Sequence, residues 1–341
     1  MSERPTVLVT GGAGFIGANF VHHLRAERPN WDVRVLDALT YAGDRRRLEG
    51  ADCQVIAGDI ASEDSLREVL DGVSWMVNFA AETHVDRSLQ DAEPFLRTNV
   101  VGTHRLFDAA RNAGVAKAVH VSTDEVYGET HDAAFRETDP IEPRNPYSAS
   151  KAGGELMVMA AWRTHEFPVC ITRGVNTVGP WQHPEKAIPL FTINAMRGQP
   201  LPLYGRGAQQ RDRLYVDDHA GAILAVLERG APGEIYNVAA GNNRDNLAVA
   251  RRICERVGAS EELIHFVEDR KGHDWNYALD STKLESLGWS RQYDFDATLD
   301  ATVDWYRNSP DWWEPILDGE FQEYYQRQYG ERLARSEVFR G

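Results

Sequence analysis

Three cysteines in 341 residues, Cys53, Cys170 and Cys254, are too few and too widely spaced for a disulfide frame, and no Cys-x-x-Cys pair marks a metal site. They read as three buried thiols, and no metal is expected. Absent too is any apolar run of membrane-spanning length, and a strand-like segment already begins at Thr6, where a signal peptide would need its apolar stretch. A cytoplasmic protein is the expectation. Positive charge is short: 37 Lys and Arg against 52 Asp and Glu give a formal net charge of -15, which excludes a phosphate-backbone interface with nucleic acid. A small anionic ligand remains admissible where the local field is positive. Lysine is the scarcest charged residue, five in the chain against thirty-two arginines.

What is present is an ordinary globular composition, 42% hydrophobic and 26% charged, over a length that suits one large domain or two that share a cleft. The first half alternates short apolar runs with helical patterns. Strands are expected at residues 6–10, 31–36, 53–57, 75–80, 118–122 and 169–173, and helices at 15–27, 62–70, 94–113 and 147–165. Several of the runs lack two-sided alternation, as strands buried on both faces do. The fold class that follows is α/β, a doubly wound parallel sheet of Rossmann type with a smaller C-terminal α/β substrate-binding domain. After Asn176 the texture shifts to loops with isolated helices at 188–197 and 247–257, while 215–228 and 234–238 read as one more helix and strand returning to the first domain. The expected division is therefore discontinuous: 1–174 with 213–240, then 175–212 with 241–310. The tail, 311–341, is charged but too rich in aromatic residues for disorder, and a helix packed on the body or on a neighbouring subunit is expected there.

Thr10-Gly11-Gly12-Ala13-Gly14-Phe15-Ile16-Gly17 closes the first strand and opens the first helix. Gly11 permits the tight turn, Gly14 lets backbone approach a pyrophosphate, and Gly17 lets the helix pack closely on the sheet. The helix N-terminus then offers free N-H groups to phosphate. A glycine pattern alone can be a mere turn, but Asp37 ends the second strand about twenty residues on, where an acid binds the adenosine ribose diol. A carboxylate there repels a ribose phosphate, so NAD is expected rather than NADP. Asp59 and Ile60 close the third strand and face either adenine or, for Asp59, its own Asx turn.

Tyr147 and Lys151 are the chain's only Tyr-x-x-x-Lys pair, where composition alone gives roughly 0.2. Residues four apart share a helix face, so the ammonium is expected to lower the phenol's pKa and to reach the nicotinamide ribose. Upstream, Ser122-Thr123-Asp124-Glu125-Val126-Tyr127-Gly128 leaves the end of a strand, where ligands of open α/β sheets bind. Capping the next turn is the structural reading of Thr123 and Asp124. The chemical reading is a pair of acids whose environments separate their pKa values, one acid and one base, as an elimination of water requires.

These motifs, with Asp37-Ala38-Leu39-Thr40-Tyr41-Ala42-Gly43, Ala80-Ala81-Glu82-Thr83-His84-Val85-Asp86-Arg87-Ser88 and Gln210-Arg211-Asp212-Arg213-Leu214-Tyr215-Val216, resemble the dTDP-glucose 4,6-dehydratases, a family of extended short-chain dehydrogenases/reductases, over roughly residues 5 to 308. The resemblance implies catalysis by Thr123, Asp124, Glu125, Tyr147 and Lys151 on tightly held NAD. Tyr147, supported by Lys151 and Thr123, would deprotonate the sugar C4 hydroxyl as C4 yields hydride; Glu125 would take the C5 proton while Asp124 protonates the departing C6 hydroxyl. Hydride return to C6 then gives a 4-keto-6-deoxy sugar nucleotide. It further implies that Phe15, Ile16, Asp37, Thr40, Asp59, Ile60, Ala80, Ala81, Thr83 and Thr98 line the NAD site. His84 would reach the sugar. Asn176, Lys186, Arg211 and Asn246, with Arg270 and His273 nearby, would hold diphosphate and ribose, and Pro202, Leu203 and Tyr204 would flank the base.

Three departures from the family pattern lie near nucleotide and phosphate: Thr177 replaces a cofactor-contacting asparagine, Lys271 a proline, and Trp275-Asn276 a pair of arginines. They leave thymidine against uridine open. The resemblance also implies a homodimer through residues 94–113 and 147–165, whose faces hold Phe95, Leu106, Phe107, Met157 and Trp162, side chains that serve an internal core equally well. Two rival readings stand beside the dehydratase. A 4-epimerase or decarboxylase of the same superfamily needs no Asp/Glu elimination pair, and a non-catalytic NAD-binding protein has no need of Thr123, Tyr147 and Lys151 together.

Overall fold

A computed structural model describes residues 4–130, 133–269 and 275–340. Six strands of the first half, β1 (Thr6–Thr10), β2 (Asp32–Asp37), β3 (Gln54–Ala57), β4 (Trp75–Asn78), β5 (Lys117–Thr123) and β6 (Val169–Gly174), form one parallel sheet. Then come β7 (Asn176–Val178), β8 (Leu201–Tyr204), β9 (Gln210–Arg211) and β10 (Arg213–Tyr215), before β11 (Ile235–Val238) joins the first sheet beside β6. The remaining strands are β12 (Arg244–Asp245), β13 (Ile264–Val267), β14 (Asn276–Tyr277) and β15 (Glu337–Val338).

The large sheet runs β11-β6-β5-β4-β1-β2-β3, so strand order reverses between β1 and β4, and a crevice opens beyond their carboxyl ends. Helices cover both faces. Val7, Leu8 and Val9 of β1 have no exposed surface, which is why their sequence shows no polar alternation. A second core gathers Leu201 and Leu203 of β8, Ile253, Val303 and Tyr306 with the tail residues Trp312, Trp313 and Phe321. Around it lie small sheets, β12-β9-β14 and β15-β13-β8, and the parallel pair β10-β7.

Two expected helices differ from the sequence reading. Residues 94–113 begin as a short turn, Glu93–Phe95, pass through a π-helical stretch, Leu96–Gly102, and continue as the α-helix Thr103–Asn112. Such one-turn irregularities accompany functional sites. Here the stretch brings Thr98 to the crevice and points Asn99 at the Glu82 backbone, whose N-H it accepts at 2.9 Å and whose carbonyl it donates to at 3.0 Å. The tail is not one helix: Pro310–Trp313, Glu314–Leu317, Glu320–Tyr325, Gln326–Gly330 and Glu331–Ala334 are short turns before β15. Pro315 cannot donate to a continuing ladder, and Gly319 turns the chain at φ +59°.

Candidate active site

Every residue assigned above to the cofactor, and every catalytic candidate, lines a single cavity of about 400 Å³ at the carboxyl ends of the large sheet. Its floor is the glycine turn. Gly11 has φ +68°, and a Cβ there would lie 2.6 Å from the Ala80 nitrogen, while one on Gly17 would run into the Gly11 carbonyl. The helix Phe15–Glu27 that follows has no side-chain cap and no acid in its first turn, so its N-H groups face the cavity without an internal competitor. That cradle fits a dinucleotide pyrophosphate. Asp37, buried at the end of β2, accepts from Ala13 N at 2.9 Å and from Leu39 N at 2.8 Å. Those two bonds tie the glycine turn to the second strand and leave lone pairs for a diol. Asp59 does make its Asx turn, accepting from Ala61 N at 2.8 Å, and still lines the cavity.

Across the cavity, Thr123 ends β5 and serves both readings of its segment. Its Oγ1 accepts from Glu125 N at 3.3 Å, capping the turn Asp124–Tyr127, and donates to Asp124 Oδ1 at 3.1 Å. Tyr147, on the helix Pro146–His165, is hydrogen bonded to the same hydroxyl. Asn145 caps that helix through Ser148 N and extends its Nδ2 to Glu125 Oε2 at 3.4 Å. One short loop thus sets the phenol and the glutamate together.

Burial pushes the Asp124 carboxyl up to about 8, helped by the Glu125 charge and opposed by the Thr123 hydrogen bond. Its other oxygen, Oδ2, has no protein partner. Asp124 is therefore mostly protonated at neutral pH, an acid in waiting, while Glu125 beside it is half-buried. The expectation that Lys151 lowers the Tyr147 phenol is corrected. Burial and the Glu125 charge hold that phenol well above its ordinary range, with only the Thr123 bond opposing. Lys151 instead donates Nζ to Val121 O at 2.8 Å, and burial lowers its own ammonium to about 8.

The sequence profile of the GDP-mannose 4,6 dehydratase family matches residues 8–302. The chain belongs to that family. Among its relatives, Low-salt glycan biosynthesis protein Agl12 of Haloferax volcanii is 49% identical over 304 residues, 88% of this chain and 98% of that protein. A dTDP-glucose 4,6-dehydratase of Streptomyces niveus is 45% identical over 91% of this chain and 95% of its own length. The crystal structure of DesIV, a dTDP-glucose 4,6-dehydratase from Streptomyces venezuelae with NAD and TYD bound, superposes with a TM-score of 0.89 at 46% identity, covering 91% of this chain and 99% of that one.

The residues assigned to substrate do not gather as the cofactor set does. Asn176, Lys186 and Thr123 line the cavity; His84, Tyr204, Arg211 and Asn246 stand outside its wall, and Arg270 and His273 lie outside the described residues. Pro202 and Leu203 are buried in β8, Leu203 within the second core, so Tyr204 alone of that stretch has accessible surface. His84 caps the helix Val85–Gln90, its Nδ1 accepting from Arg87 N at 3.4 Å, and turns Nε2 to Glu185 Oε2 at 3.5 Å. The Arg211 guanidinium lies 4.6 Å over the Tyr277 ring, and its charge is felt at Asp124.

The cavity's lining also includes residues that the motifs did not point to. Arg47 is buried and donates to the carbonyls of Ala13, at 2.9 Å, and Ala42. Within Arg45-Arg46-Arg47 nothing in the sequence separates it from two exposed neighbours. Thr177, the departure noted above, meets His219 Nδ1 at 2.7 Å, and both line the cavity. The one signal for His219 is its place three residues after the Gln210 to Val216 motif.

Proposed function

We propose that the protein is a nucleotide-sugar 4,6-dehydratase that converts dTDP-glucose to its 4-keto-6-deoxy product, in deoxysugar biosynthesis, with bound NAD. One observation carries the reading. Asp124, protonated by its burial, and Glu125 share a cavity with Tyr147, and a 4-epimerase or decarboxylase has no use for that acid and base pair. Bound NAD, which the glycine turn, Asp37 and Lys151 would hold, would supply a reversible hydride acceptor. Tyr147, bonded to Thr123 and entering the step as the phenolate, takes the C4 hydroxyl proton as that carbon is oxidised; because burial holds the phenol high, its ionisation depends on the positive charge that completes the site, the Lys151 ammonium included. The resulting ketone acidifies C5, whose proton goes to Glu125, and Asp124 gives its proton to the departing C6 hydroxyl as water leaves. Glu125, its proton exchanged with solvent, would return one to C5 as hydride comes back to C6, with no net redox change.

Arg211, Lys186, Asn176 and Asn246 are assigned to diphosphate and ribose, where the two cations would supply the positive local field that the chain's net charge lacks. In the same reading, 1–174 with 213–240 binds cofactor and 175–212 with 241–310 binds nucleotide. A homodimer is proposed through Leu96, Val101 and Leu156, which are 53%, 43% and 59% exposed. Phe95, Leu106 and Phe107, named above for that face, are core instead. A cytoplasmic location is supported by three free thiols and, among the described residues, by no helix long and apolar enough to cross a membrane.

The test is turnover in deuterated water. Purified protein given dTDP-glucose and no added NAD is expected to form the 4-keto-6-deoxy product with one solvent deuterium at C5. A product that keeps its C6 hydroxyl, or lacks the label, overturns the reading.

A further inference from the structure

The family profile covers residues 8–302, and the chain beyond it folds back onto residues on both sides of the site. Trp312 packs under the cavity-lining Arg47, its ring 5.4 Å from the guanidinium carbon. Phe321 lies 6.5 Å from the ring of His183, another lining residue, and the Tyr324 ring meets His84 edge-on at 5.8 Å. Four residues later, Gln328 spans the two walls. Its Nε2 donates to Tyr204 Oη at 2.6 Å, on β8, and reaches Asp86 Oδ2 at 3.4 Å, on the helix that His84 caps. Tyr329 adds a ring contact at 6.0 Å and shares a hydrogen bond with Tyr204, and Arg332 stands 5.6 Å over the same ring. Finally β15 pairs with β13, which pairs with β8, so the segment is stitched to the strand that presents Tyr204.

We infer that the C-terminal segment completes the nucleotide end of the substrate site, and that Gln328 is a positioning residue that fixes the Tyr204 phenol for a pyrimidine base. The inference rests on the assignment of Tyr204 to the base in the proposed function. An amide nitrogen carries two hydrogens, and here they meet a phenol oxygen and a carboxylate from opposite walls. With its oxygen accepting from Gln328 and sharing a hydrogen bond with Tyr329, the phenol of Tyr204 is fixed and its ring plane is set before any ligand arrives. Pre-setting a ring in this way lowers the ordering cost of binding, so its loss falls on affinity rather than on the chemical step. The Glu125, Asp124 and Tyr147 groups are reached by none of these tail contacts.

The experiment is a double-mutant cycle in the full-length protein, Gln328→Leu and Tyr204→Phe singly and together, with dTDP binding by calorimetry and turnover of dTDP-glucose as readouts. Leu keeps the bulk of Gln328 and removes its donor; Phe keeps the ring of Tyr204 and removes its acceptor. Gln328→Leu is expected to raise the Kd for dTDP and the KM for dTDP-glucose about tenfold, with kcat within about twofold and NAD content and Tm unchanged. The double variant is expected to match Tyr204→Phe alone in dTDP affinity, because Gln328 acts on the base through the hydroxyl that Tyr204→Phe removes. Unchanged Kd, additive effects, or a joint fall of kcat, NAD content and Tm overturns the inference. The two failures are separable: a wild-type protein that makes no 4-keto-6-deoxy product refutes the assigned reaction, whereas active wild type with normal dTDP binding by Gln328→Leu refutes only the tail's part.

Discussion

The two walls of the site are built in different ways. On the cofactor side, seven strands hydrogen bond in one continuous parallel sheet, and the binding surface is the backbone of a turn held by Gly11, Gly17 and the Asp37 carboxylate. On the substrate side, strands of two to four residues pair in small sheets, and side chains hold the loops together. Asp212 alone accepts from the N-H groups of Ala240, Gly241 and Asn242 at 2.8 to 2.9 Å. Buried Arg213 joins the carbonyls of Arg211 and Arg244 and the amide of Asn246, while burial lowers its guanidinium to about 9. Under the proposed function, cofactor binding therefore rests on space that a methyl group destroys, and substrate recognition on bonds that can be removed one at a time.

That contrast predicts effects of different size. The largest is Gly17→Ala: its Cβ collides with the Gly11 carbonyl, so NAD affinity is expected to fall about a hundredfold or more, and protein purified without added NAD is expected to emerge without it. Normal NAD content in that variant would remove the distinction between the walls. Smaller and graded is the effect of pH where the walls meet. Asp124 titrates near 8 in the fold, far above a free carboxyl, so its proton is present at neutral pH and lost as pH rises through that value. The stability it contributes when protonated is complete below the ordinary carboxyl range and is lost as pH rises through about 8. Lys151 also titrates near 8, from above, so log kcat/KM of the wild type is expected to fall with a slope of about two in alkali and that of Asp124→Asn with a slope of about one. Equal slopes would assign the limb to Lys151 and deprive Asp124 of its acid role.

The same contrast explains what could be read along the chain. The helix at 15–27 and the strand at 6–10 were legible to the residue, because a buried parallel strand and a glycine-bounded helix impose their periods on contiguous residues. Tyr147 and Lys151 were legible as a spacing, but the direction of the Lys151 ammonium was not, since Val121 O belongs to a strand thirty residues away. Two-residue strands such as β9, β12 and β14 have no period to detect. The π-helical stretch at Leu96–Gly102 keeps an unbroken helical pattern in sequence and differs only in its hydrogen bonds. Arg47 and Gln328 take their importance mainly from partners distant in the chain, Ala13 and Trp312 for the one and Tyr204 and Asp86 for the other.

The central claim is that Asp124 and Glu125 divide one elimination between an acid and a base. It is tested most directly by mixing Glu125→Gln, loaded with NAD, with dTDP-glucose and following nicotinamide absorbance together with the sugar. The account predicts that reduced-nicotinamide absorbance appears and persists while the sugar keeps its C6 hydroxyl and takes no deuterium at C5. Release of 4-keto-6-deoxy product at the wild-type rate would contradict it.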